Sequence, residues 1–103
     1  MKRYTLACAV AVAAAFALPA SANEKLAQSS GCMTCHGVDK KVIGPAFKDV
    51  AAKYKGNKSA EADLIKKVKA GTKGNWGDIP MPPNGQVKDE DVKTLVQWVL
   101  SQK

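Results

Sequence analysis

The chain has 103 residues, of which 46% are hydrophobic and 24% charged, and a formal net charge of +7. That length leaves room for one small domain and excludes a multidomain enzyme. Its only arginine is Arg3, so the rest of the chain lacks the bidentate phosphate and guanine contacts that arginine makes; the basic charge therefore does not point to nucleic acid.

Met1 to Ala22 reads as a cleaved secretory signal peptide. Lys2 and Arg3 begin it, an apolar run follows from Leu6 to Leu18, and Pro19 breaks the run before the small-x-small site Ala20-Ser21-Ala22. The run falls short of the ~20 apolar residues that span a bilayer, so no stable membrane insertion is expected. Cys8 leaves with the leader. Residues 23–103 then form a single domain with 14 basic and 9 acidic residues. A core of that size is marginal and calls for a disulfide, a metal or a large ligand to complete it.

Four short helices and no strand are expected in this domain. Glu24 to Ser30 makes a brief first helix, stopped by Gly31. Phe47, Val50, Ala51 and Tyr54 fall at i, i+3, i+4 and i+7 in a second, with Pro45 suited to its start and Gly56 to its stop. A third opens at Ser59 as N-cap, carries Glu61 and Asp63 near its positive end, turns Leu64, Ile65 and Val68 inward, and closes with Lys69 before Gly71. The last opens on Asp89, Glu90 and Asp91, bears the stripe Val92, Leu95, Val96 and Val99, and ends towards Lys103. Between the third and fourth lies GTKGNWGDIPMPPNGQ, residues 71–86, too long to be only a connector.

The chemistry begins at GCMTCHG, residues 31–37, which holds two of the three cysteines and the only histidine. On a helical turn Cys32, Cys35 and His36 leave one face. That suits two thioether bonds to a porphyrin edge with the imidazole reaching its iron, as in C-x-x-C-H haem attachment. Other readings stay open for the motif alone. A structural zinc needs a fourth ligand and would have to take it from Asp or Glu; a thioredoxin-like dithiol wants a βαβ setting that the pattern lacks; a disulfide across this spacing closes a very tight ring.

If haem is bound, the same chain limits its sixth ligand. No second histidine exists, Met1 leaves with the leader, and Met33 sits between the anchoring cysteines. Met81 remains, framed by Pro80, Pro82 and Pro83, which restrict the backbone on both sides.

With these residues in view, the sequence resembles the class I c-type cytochromes of the small bacterial c-551 type. The likeness runs through GCMTCHG, KKVIGPAFKDVAAKY at 40–54, GNWGDIPMPPNG at 74–85 and the closing LVQWVLSQK. It implies an all-α class I cytochrome c fold, with about four short helices wrapped around one covalently bound haem c. Cys32 and Cys35 would carry the haem, and His36 and Met81 would be the axial iron ligands. The carbonyl of Pro45 would accept a hydrogen bond from His36, Trp76 would reach a propionate, and Asn84 would orient the Met81 sulfur. Leu95 and Trp98 would join the contact between the first and last helices. Ala27 stands there where many relatives carry an aromatic residue, and Met33 is expected to fill the space.

With iron closed on both sides the expectation is a soluble periplasmic electron carrier of a Gram-negative bacterium, and not an enzyme. It would shuttle between a membrane quinol-oxidising complex and a terminal reductase or oxidase. The alternative is a haem c enzyme or sensor, peroxidase-like or gas-binding, with a displaceable sixth ligand. Redox partners would meet it in transient, charge-steered contacts, with Lys40, Lys41, Lys48, Lys67 and Lys73 as steering residues, and the protein is expected to be a monomer. Val42, Ile43, Phe47, Leu64, Ile65, Val68 and Ile79 are expected to pack on the haem.

Overall fold

The computed structural model describes residues 20–103, so the expected leader lies outside the described residues except for its last three positions. Four α-helices follow in order: α1 over Ala20–Ser29, α2 over Phe47–Lys53, α3 over Ala60–Ala70 and α4 over Asp89–Leu100. A 3-10 turn over Cys32–Thr34 lies between α1 and α2. Among the described residues there is no strand, only isolated bridges between His36 and Lys41 and between Thr72 and Met81.

Helix α4 organises the rest, because α1, α2 and α3 all pack against it. Its stripe explains why: Val92, Leu95, Val96 and Trp98 are buried on one face, and Val92 is wholly inaccessible. Ala27 from α1, Phe47 from α2 and Val87 from the approach to α4 complete the buried cluster. Met33, Leu64, Ile65, Val68 and Val99 pack around it. The small side chain at Ala27 is fully buried in this seam, and Met33 packs on the same cluster.

The helix ends depart from expectation in ways that local chemistry explains. α1 begins at Ala20 instead of Glu24, since Ala20 and Ala22 are strong helix formers. α2 begins at Phe47, two residues after Pro45, with extended Ala46 as its N-cap. Ser59 is the N-cap of α3, but its hydroxyl caps nothing; both its backbone N–H and its Oγ donate to Asn57 Oδ1, each at 2.9 Å. The turn-forming role thus falls to Asn57.

At the other end of α3, Lys69 crosses to the start of α4. Its Nζ donates to the carbonyl of Val87 at 2.8 Å and pairs with Asp89 at 2.8 Å. Lys103 lies beyond the last turn of α4. The final carbonyls are satisfied instead by Ser101 and Gln102, whose side chains both donate to the carbonyl of Trp98.

Candidate functional site

The turn that carries Cys32, Cys35 and His36 is 3-10, tighter than the α-helical turn expected, yet it keeps the three together. The N–H groups of Cys35 and His36 both reach the carbonyl of Cys32, at 3.3 and 3.0 Å. All three residues line one cavity of about 440 Å³. Both cysteines are free thiols and half-buried. Burial pushes the Cys32 thiol above its ordinary value, against a smaller opposing effect from a backbone hydrogen bond.

The segment after the turn folds back on it. The N–H groups of Ile43 and Gly44 donate to the carbonyl of Cys35, and that of Phe47 donates to the carbonyl of Gly37. This loop delivers the carbonyl of Pro45 to 2.7 Å from His36 Nδ1. A carbonyl only accepts, so the proton sits on Nδ1 and the lone pair on Nε2 is left for a metal.

Met81 lines the same cavity from the long loop. Prolines flank it, but its backbone is fixed by Thr72, which follows Gly71, the C-cap of α3. Met81 N–H donates to the Thr72 carbonyl at 2.7 Å, and Thr72 N–H donates to the Met81 carbonyl at 3.0 Å. Gly71 makes this pairing possible. It has φ +79°, and a Cβ on it would lie 2.8 Å from the Met81 carbonyl oxygen. Thr72 and this second role of Gly71 escaped the sequence reading, because a two-residue bridge across a loop leaves no periodic pattern.

Asn84 also lines the cavity, and its amide donates to the carbonyls of Val68 at 3.3 Å and Pro82 at 3.1 Å. Its backbone N–H adds a bond to Val68 at 3.0 Å, so Asn84 ties the loop back to α3. Trp76 stands at the cavity rim, 40% exposed, with the Lys53 ammonium 4.4 Å above its ring. Ile43, Phe47, Leu64, Val68 and Ile79 face the cavity as expected. Val42 and Ile65 are not in its lining; Val42 is exposed, and Ile65 packs on the helical core.

Of the basic residues singled out, Lys41, Lys67 and Lys73 line the cavity. Lys67 donates to the Tyr54 hydroxyl at 3.1 Å, and Lys48 is paired with Asp39. Among the described residues no group of three or more His, Cys, Asp and Glu side chains is placed to hold a metal ion, so the zinc reading has no support there. No helix among them is long and apolar enough to cross a membrane.

The donor set fits a haem. Two free thiols, one imidazole with its outer nitrogen open and one thioether share a largely apolar cavity. Comparison with known proteins agrees. The cytochrome c family model matches residues 20–103. Cytochrome c-551 of Pseudomonas aeruginosa is 49% identical, with both chains covered completely, and cytochrome c-552 of Hydrogenobacter thermophilus is 46% identical, again over both whole chains. The crystal structure of wild-type Nitrosomonas europaea cytochrome c552 superposes with a TM-score of 0.76 at 49% identity, covering 78% of this chain and 99% of that one. Similarity of this extent, in sequence and in backbone, means that the chain belongs to the cytochrome c family, with a covalently attached haem c as its cofactor.

Proposed function

We propose that residues 23–103 are the mature form of a soluble electron carrier, exported to the periplasm of a Gram-negative bacterium by a signal peptide cleaved after Ala22. It would take electrons from a membrane quinol-oxidising complex and deliver them to a terminal reductase or oxidase. Cys32 and Cys35 hold the haem, and His36 and Met81 bind its iron. The observation that carries this reading is the pairing of an imidazole whose Nδ1 is committed to Pro45 with a Met81 whose backbone is clasped by Thr72, both on one cavity.

Bound haem supplies one-electron exchange between ferric and ferrous iron. The chain's own residues decide that it supplies little else. Pro45 fixes the tautomer and direction of His36, and the Thr72 bridge keeps Met81 from swinging away, so no side of the metal is left for oxygen, peroxide or substrate. A thioether ligand favours the reduced state and a raised potential. Trp76, at the rim, would donate its indole N–H to a propionate, and Asn84, which ties the loop to α3, would help to orient the Met81 sulfur.

The test is an absorption spectrum of the protein expressed with periplasmic export. A c-type haem spectrum with the weak far-red band of ferric iron–thioether bonding is expected, together with inertness to carbon monoxide. Haem without that band, or rapid binding of carbon monoxide, would instead identify an enzyme or sensor with an open sixth position.

A further inference from the structure

The imidazole of His36 is restrained by more than its hydrogen bond. The Phe47 ring stacks on it, with centroids 5.1 Å apart and planes 24° from parallel. Trp98 meets Phe47 edge-on, at 5.4 Å and 72°. Phe47 and Trp98 are 5% and 6% exposed, so neither ring has room to retreat. Gly44 makes a separate close approach. A Cβ there would lie 2.6 Å from His36 Cε1, 2.9 Å from Nδ1 and 3.1 Å from Nε2. Both nitrogens lie hardly farther from that point than Cε1 does, which places it over the ring face and not beyond the Cε1–H edge, so any side chain at 44 would press on the imidazole.

We propose that Gly44 and Phe47, backed by Trp98, are positioning residues that set the plane of the His36 imidazole, and through it the electronic state of the iron. This rests on the axial role of His36 proposed above. A single hydrogen bond from Nδ1 leaves the ring free to rotate about the line to its acceptor. A stacked neighbour and a close backbone removes that freedom, because rotation would drive the imidazole into Phe47 or into the Gly44 backbone. All the supports come from two places in the sequence, the GPAF segment at 44–47 and the last turns of α4. The ring that reports the iron's state is thereby coupled to the helix that organises the fold.

The experiment uses the haem-loaded protein with Phe47→Leu, Phe47→Tyr and Gly44→Ala, and with Val92→Ala as a control buried in α4 outside the cavity lining. Two readouts are taken: the midpoint potential and the proton NMR shifts of the haem methyls in the ferric state, whose pattern follows the plane of the axial imidazole. Phe47→Leu and Gly44→Ala are expected to redistribute the methyl shifts and move the potential. Phe47→Tyr, which keeps the ring, retains the wild-type pattern, and Val92→Ala loses thermal stability with the pattern unchanged. If Phe47→Leu and Gly44→Ala lose stability while keeping the wild-type pattern and potential, the proposal is overturned. Should Phe47→Leu fail to accumulate, Gly44→Ala decides by the same two readouts. The axial assignment beneath the proposal fails separately, through a wild-type ferric protein lacking the far-red thioether band.

Discussion

Met81, the proposed sixth ligand, is held by neighbours that are not themselves proposed ligands. Its reciprocal bonds with Thr72 depend on Gly71, where φ is +79° and a Cβ would crowd both the Met81 carbonyl and Pro83. Gly71→Ala should therefore act twice. With ψ at 167°, this is a region of backbone space that is essentially glycine-only, where another residue costs about 1–3 kcal/mol, and the added methyl pushes the Thr72–Met81 bridge apart. Thermal melts should show the first effect, and weakening of the far-red iron–thioether band the second; loss of stability with an unaltered band would show that the bridge does not govern the ligand. The proposed ligands can be singled out in the sequence, since C-x-x-C-H is a compact motif and Met81 is the one candidate left by elimination. Their supports cannot. The contacts of Gly44 and Gly71 with residues eight to twelve positions away exist only once loops have closed, and glycine reads in sequence as a turn or a stop.

At the scale of elements, the seam between α1 and α4 turns on a size exchange. Ala27 is buried against α4, and Met33, from the turn that follows α1, packs on the same cluster. Met33→Val shortens that side chain and leaves unfilled volume, for which about 1 kcal/mol is the expected loss. In a domain of this size that lowers Tm by roughly 4–8 °C. A variant melting with the wild type would show that Met33 does not fill the seam. The helices are readable from their apolar spacing, and Val92, Leu95 and Val96 of the expected α4 stripe are buried, while Val99 is half-buried and Trp98 is buried in addition. The helix ends are less readable. Ser59 has the chemistry of a cap, but Asn57, two residues earlier, captures both of its donors. Lys69 closes its own helix in sequence, and its strongest partners are Val87, just before the next helix, and Asp89, the first residue of that helix. Capping is decided by competition between nearby polar groups, which residue preferences alone do not rank.

For the molecule as a whole, the four helices meet on one small cluster, and a cavity of about 440 Å³ lies against it. A core this small is marginal without a partner inside it. The haem-free chain should consequently be largely unfolded, and far-ultraviolet circular dichroism should show most of the helix content lost; a native spectrum would mean that the polypeptide core suffices. Charge supplies the other prediction. Lys41, Lys67 and Lys73 border the cavity, and Lys48 is already paired with Asp39. Steering by the unpaired ammonium groups predicts that association with redox partners slows as ionic strength rises, since at ~0.1 M salt the Debye length is about 10 Å. Stopped-flow rates independent of salt would remove lysine steering from the account. The bridge at Thr72 has one more consequence, for the clock by which amide protons leave the protein. Among the described residues, no backbone N–H from 73 to 79 donates to another backbone group, whereas that of Met81 is bonded at 2.7 Å. In deuterated water Met81 becomes a lone slow amide at the end of a fast stretch. Its exchange rate times how often the loop lets go, separately from the slower opening of the helices.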